Sequence, residues 1–442
     1  MGGPVKKDKT FFFGAFEGLR ETIGQTIVST TVSAPIPGIA PNLQNCFVLT
    51  NNPCAKSTTN PVNPTGAVIG GAQVILPLFP HPNLLGPNNL PEATYPFSEP
   101  ITENWGQGRL DHTFSAADAF FARYTIDDSY YANGLAYQPF DQTQATRGQF
   151  VTFSENHIFS SALLNTARFS FSRTTYHIDS PSTFGPGFPS LFVGQQNPGL
   201  GTFQITGVTV STQGGGLGPT STLPVDQLQH IFTWSDDLFY VKGKHSFKFG
   251  TLINHYQQDM FNNNANRGAF TSTSLAQFLS GSFSSVTVGL GPYDRRHYRY
   301  STFGVYAQDD YKILPNLTLN LGLRYEFATV ATDRDGLNSS STPTCTYPCY
   351  QVGPLYNNPY LHNFSPRIGF AWDVFGNGKT SVRGGLASVR RRNARFDAQC
   401  DCRQSATVWG LHHSGHYFLY YSGWPGRGQY DRRNQPDRGA RP

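Results

Sequence analysis

RYSTFGVYAQDDYKILPNLTLNLGLRYEF, residues Arg299–Phe327, decides the fold class. Leu319, Leu321, Leu323, Tyr325 and Phe327 fall on one face of an extended strand, and Thr318, Asn320, Gly322, Arg324 and Glu326 on the other. Side chains of a strand alternate with period two, so this pattern excludes a helix. The segment before it repeats the pattern. Phe303, Val305, Ala307, Tyr311 and Ile313 alternate with Thr302, Gly304, Gln308, Asp310 and Lys312, and Asp309 is the one break on the apolar face. Leu314-Pro315-Asn316 is a connection short enough to demand an antiparallel hairpin. The open question is which medium meets the apolar face.

Composition narrows that question. Charged residues make up 14% of the 442 residues, where about 25% is usual for soluble domains, and aromatic residues also reach 14%. Glycine (45) and proline (31) are abundant, and no apolar run reaches the length of a membrane helix. Apolar residues spread thinly over alternate positions suit an outer-membrane barrel. A soluble β-sandwich shares the alternation. Residues from Ala387 onward hold ten Arg and four Asp, leaving 23 basic against 24 acidic residues in the remainder. The net charge of +5 therefore belongs to the tail, and the body offers no basic face for nucleic acid.

Candidate strands run near 9–33 (one long or two short), 101–114, 119–131, 146–159, 162–178, 226–241, 245–260, 295–313, 317–330, 363–375 and 379–388. Phe120, Ala122, Tyr124 and Ile126 alternate with Phe121, Arg123 and Thr125. Ala167, Phe169 and Phe171 alternate with Arg168, Ser170 and Ser172, and Phe247 and Phe249 with Ser246, Lys248 and Gly250. Tight connections at Ser115–Asp118, Ser160–Ser161, Lys242–Lys244, Leu314–Asn316 and Gly376–Lys379 alternate with long irregular segments at 34–100, 132–145, 179–225, 261–294 and 331–362. Short turns at one rim and long loops at the other mark an up-and-down barrel; Greek-key connections have no reason to segregate in this way. The expectation is an all-β, antiparallel up-and-down transmembrane β-barrel, partial, with about 11–12 strands of a larger barrel.

Four segments carry a resemblance: PVKKDKTFFFGAFEGLR (Pro4–Arg20), GQGRLDHTFSAADAFF (Gly106–Phe121), VYAQDDYKILPNLTLNLGLRYE (Val305–Glu326) and NFSPRIGFAWDVFGNGKTSVRGG (Asn363–Gly385). In order and spacing they resemble the Oar-like family of TonB-dependent outer-membrane transporters. The resemblance covers most of residues 1–386 and implies the barrel region of a large receptor whose plug precedes the first segment. It implies uptake of an unidentified substrate across the Gram-negative outer membrane, with membrane lipid, an extracellular substrate and the TonB complex as partners. Neither a plug nor a TonB box is recognised in this chain. A signal peptide is not recognised either: Lys6, Lys7 and Lys9 precede Phe11-Phe12-Phe13, but Glu17 and Arg20 interrupt the apolar stretch. The barrel piece is thus expected to be inactive alone. The alternative function is a secreted, soluble β-rich binding or adhesin-like protein.

Residues 1–386 form the expected barrel domain. Residues 387–442, with Arg390-Arg391-Arg392 and no alternation, read as an aberrant basic tail, frame-shifted or disordered. His412, His413 and His416 in that tail are not taken as ligands, and its arginines not as a nucleic-acid patch. Cys46/Cys54 and Cys345/Cys349 sit in loops where small disulfides fit an oxidising compartment; their redox state stays open. Cys345/Cys349 lacks a partner pair or nearby histidine at zinc spacing, and Cys400/Cys402 is the third close pair. Gly214–Gly218 lacks the Lys-Ser/Thr of a phosphate loop. Asp111-His112 and Asp236-Asp237 supply acid and base types without a nucleophile or metal pair, so no enzyme, catalytic residue, metal or cofactor is expected. Asp309/Asp310 and Arg295/Arg296 read as rim or lumen salt-bridging. Trp234, Tyr240, Tyr306, Tyr311, Tyr325 and Trp372 are candidates for aromatic girdles. The loops at 34–100, 179–225, 261–294 and 331–362 would face outward toward substrate, with no single binding residue identifiable.

Overall fold

The computed structural model describes residues 1–31, 75, 78–80, 82–86, 91–180, 200–206, 216–262, 267–274, 277–278, 283–287, 295–340, 351–355, 361–387, 407–413 and 416–422. All three cysteine pairs lie outside the described residues. The chain divides into two units. The first comprises residues 1–340 with 351–394, and the second residues 341–350 with 395–442. In the second unit, Thr407–His413 pairs antiparallel with His416–Ser422.

The first unit is built on one sheet. Its main path runs in chain order through β1 (Gly2–Lys6), β2 (Thr10–Thr30), β3 (Pro91–Ser115), β4 (Asp118–Gly134), β5 (Asp141–Ser160), β6 (Leu163–Asp179), β7 (Val225–Lys242), β8 (His245–Phe261), β9 (Arg295–Leu314), β10 (Leu317–Ala328), β11 (Phe364–Asp373) and β12 (Ser381–Ala387). Leu84–Leu85 and Thr332–Asp333 add short pieces, giving 14 strands in all. Every step on the path is an antiparallel neighbour pairing, the up-and-down order expected from the sequence. Among the described residues β1 does not pair with β12, so the sheet is open, as a partial barrel would be.

The expected strands match closely. The segment at 9–33 is one strand, β2, with β1 folded back onto its start. β3 begins at Pro91, ten residues before the expected 101, despite Pro96 and Pro100. Those prolines fall where β3 pairs with β2 alone; β4 joins only from Ile101 onward. Proline lacks a ladder donor, and an edge tolerates it. The turn between β7 and β8 is tight because Gly243 takes a φ of 61°, which suits the first position of a two-residue hairpin.

Register converts local alternation into two continuous faces. Phe12 is opposite Leu110, Leu110 opposite Ala122, Ala122 opposite Phe153 and Phe153 opposite Phe169. The same row continues through Trp234, Ile253, Phe303 and Phe327. These side chains stay open to the surroundings, as do Phe16 at 75% and Ile368 at 61% exposure. A sandwich would bury such a face against a second sheet; a membrane wall presents it to lipid. One residue over, the opposite face carries a row of Arg109, Arg123, Thr152, Ser170, Thr233, Asn254 and Thr302.

The buried apolar core lies among the long connections. Phe79, Leu135, Tyr137, Phe203, Leu217 and Phe278 are each at most 2% exposed and form one cluster. Thr202–Ile205 pairs in parallel with Ala269–Ser272, which pairs with Ser285–Thr287, giving this loop module its own small sheet.

Candidate functional site

Two surfaces are built to meet something polar: the polar face of the wall and the loop module at its long-connection end. On the polar face, charges are matched along and across strands. Arg109 donates to both carboxylate oxygens of Asp111 at 2.8 and 2.6 Å and lies 4.2 Å from the centroid of the Phe121 ring. On the other face, near the long connections, Arg147 bridges to Asp128 across β4 and β5 at 2.8 Å. Arg324 pairs with Glu326 two residues along the polar face. Asn320 donates to Asp310 at 2.5 Å. Asn254 joins Thr233, whose hydroxyl donates to it at 2.8 Å, to Thr302, to which it donates at 3.1 Å. Tyr306 donates its hydroxyl to Asp237, with Lys248 5.6 Å from its ring centroid. A Cβ on Gly250 would collide with the Tyr306 ring, so the glycine is what lets that ring cross β8.

The structure divides the residue pairs picked from sequence. Asp111 faces Arg109, whereas its neighbour His112 meets the Thr10 hydroxyl at 2.8 Å on the other face. Asp237 meets Tyr306, and Asp236 takes a 2.8 Å hydrogen bond from Asn165 on the apolar face. Neither pair can act as one acid–base unit, because period two sends neighbours to opposite faces. Asp309, the break on the apolar face of β9, sits 2.7 Å from His245 Nδ1, and that imidazole stacks on Tyr311 at 4.2 Å. Arg295 is 3.8 Å from Asp226 and lies over the Phe261 ring. Of the expected girdle aromatics, Trp234, Tyr240, Tyr311, Tyr325 and Trp372 stand on the apolar face. Tyr306 is a correction: its even position aligns with Gly250 and Arg324 on the polar face.

At the long-connection end, the loop module is fastened to the wall by hydrogen bonds. Tyr137 donates to the Thr30 carbonyl at 2.8 Å, and Tyr95 donates to the Leu135 carbonyl. Arg267, buried in the loop after β8, donates to Asp179 and to the Ser180 carbonyl, both at 2.8 Å, at the end of β6. Phe203 and Leu217 exchange backbone hydrogen bonds of 2.8 and 2.9 Å. Asp333 anchors the turn after β10: its two oxygens accept the amides of His297 and Leu337 at 2.8 and 2.9 Å. Burial alone would raise the Asp333 pKa, but the backbone amides outweigh it and hold the group below its usual range. Sequence reasoning placed these segments in loops but missed their common core. The available signal was the aromatics Phe79, Tyr137, Phe140, Phe203, Phe270, Phe278 and Phe283, set within Pro- and Gly-rich sequence.

One cluster has ligand types suited to a metal ion. Asp118, Glu155 and His157 place one ligand atom each within 4.8 Å of one another, near the short turns on the apolar face. His157 Nδ1 already contacts Asp118 there.

A family model described as outer membrane beta barrel domain matches residues 1–405. The chain belongs to that family. Its solved structural neighbours include the outer membrane transporter YddB from Escherichia coli. The two share 10% identity at a TM-score of 0.44, over 88% of this chain and 37% of that one. The P. aeruginosa receptor FpvA, in a ferric pyoverdine complex, is 12% identical at a TM-score of 0.37, over 66% and 37% of the two chains. BauA, the ferric preacinetobactin receptor of Acinetobacter baumannii, is 12% identical at a TM-score of 0.34, over 66% and 42%. This outer-membrane chain thus spans well under half the length of each of these neighbours. No curated protein matches it.

Proposed function

We propose that this outer-membrane protein is a wall segment of a TonB-dependent transporter that takes up an unidentified substrate. The observation that carries the reading is the pairing of an open, hydrogen-bonded polar face with a loop module that has its own core at one end of the same strands. A channel-lining wall needs the first, and a receptor that recognises substrate outside the cell needs the second. In this reading the loops touch substrate, the polar face meets the plug, and the plug with its TonB box comes from sequence outside this chain. Alone, the segment does not transport. Its basic tail from residue 387 onward continues the gene in a shifted frame.

Reading the gene on both sides of this frame tests the proposal. The expected result is a plug and TonB box upstream, with further alternating strands in another frame beyond Gly385. The completed gene should restore uptake that stops when TonB is deleted. A frame closed on both sides by its own start and stop would overturn it, as would uptake indifferent to TonB.

A further inference from the structure

We propose that a notch over Ala167 on the apolar face binds a phospholipid carrying a primary amine. Ala167 lies between Glu155 on β5 and Asp236 on β7 in one register row, and Thr251 on β8 follows. Two carboxylates therefore flank the smallest side chain of that row. The surface dips there into a groove of about 360 Å³. The next row closes one side of the groove with aromatic rings. Phe153 and Phe169 stack at 6.4 Å and Phe169 and Trp234 lie 5.7 Å apart, while Phe120, opposite Glu155 in the Ala167 row, stacks on Phe153 at 6.2 Å.

Carboxylates on a lipid-facing surface are costly, and an ionisable group held there calls for a partner. Among the described residues, Asp236 has only the neutral Asn165 amide as a side-chain donor, and Glu155 only His157, at 3.9 Å. No lysine or arginine on this face answers either one; Arg168, next in sequence to Ala167, belongs to the opposite face. The surrounding lipid can supply the missing cation. A primary ammonium brings three N–H donors to two acceptor groups, while its acyl chain lies against the aromatic row. The notch is five to six residues in from the short turns after β5 (ending at Ser160) and β7 (ending at Lys242), on the side of the wall where those turns lie. A quaternary ammonium carries the same charge and would be attracted to Trp234, but it cannot donate a hydrogen bond.

The test is native mass spectrometry of the full chain folded in neutral detergent micelles. Phosphatidylethanolamine, phosphatidylcholine and phosphatidylglycerol of identical acyl chains would be offered together. The expected result is about a tenfold preference for phosphatidylethanolamine over phosphatidylcholine, the worth of one hydrogen bond to a charged group. Phosphatidylglycerol should be retained least. The double variant Glu155→Gln/Asp236→Asn keeps shape and removes charge from the lipid face, and should bring that preference to about one. Ala167→Leu fills the notch and should lower retention of phosphatidylethanolamine and phosphatidylcholine alike, with the strand content checked by circular dichroism. Equal retention of phosphatidylethanolamine and phosphatidylcholine by the unaltered chain would overturn the proposal. So would a preference that survives the double variant, or binding abolished by a chelator, which would assign the carboxylates to a divalent cation.

Discussion

Gly250 leaves room for the Tyr306 ring to cross its strand and reach Asp237. Gly250→Ala forces the ring aside and is expected to cost about 1–3 kcal/mol of wall stability, as overpacking does. Tyr306→Phe, which keeps the ring and loses only the hydroxyl, should cost about 1 kcal/mol. Denaturant titration in micelles compares the two, and equal costs would mean the glycine merely fills a place. Asp309 supplies a second comparison. His245→Ala leaves its carboxylate on the apolar face without the 2.7 Å partner and should destabilise by about 1–3 kcal/mol. Adding Asp309→Leu should recover most of that loss, because replacing both partners removes the unmatched charge.

The strand is the element whose two faces meet different media. Val305 stands half-exposed on the lipid face of β9, and Gln308 is exposed on the polar face three residues on. Val305→Arg should cost up to about 2–4 kcal/mol, while Gln308→Arg is expected to be tolerated. Folding yields into micelles and vesicles measure the difference, and reversed costs would invert the wall. Near the rim, Asp333 gives a pH signature. Its carboxyl titrates lower folded than unfolded, so its contribution is present above the ordinary aspartate range and is lost as pH falls through the folded value. Asp333→Asn should make the opening of the 331–340 turn, read by amide hydrogen exchange, less dependent on acid. An unchanged acid dependence in the variant would remove Asp333 as the cause.

On the scale of the whole molecule, the wall and the loop module should fail separately, since their apolar contacts are separate. Phe203 is 2% exposed among Phe270, Phe278 and Phe283. Phe203→Ala is expected to weaken the module by about 3–5 kcal/mol. Limited proteolysis should then cut within the long connections while the strand signal in circular dichroism persists. Loss of both together would show one cooperative unit. Among the described residues, the edges at β1 and β12 have no strand partner, and an open edge favours association with another strand.

Much of this architecture was legible in the sequence. The alternation at Phe303–Phe327 needs only neighbours along the chain, and the same holds for β4, β6 and β8. Turn and loop lengths then fixed the up-and-down order. The start of β3 was not legible, because whether Pro96 breaks a strand depends on which neighbour is present. Nor was the loop core, because Phe79, Tyr137, Phe203 and Phe278 meet across long separations with no period to announce them. The sequence by itself determined a two-faced antiparallel wall, since side-chain alternation is a property of the extended backbone. Only the tertiary structure decided that Asp236 faces the lipid-side notch with Glu155 and Asp237 faces Tyr306. Those partners are set by register between distant strands, which no local pattern contains.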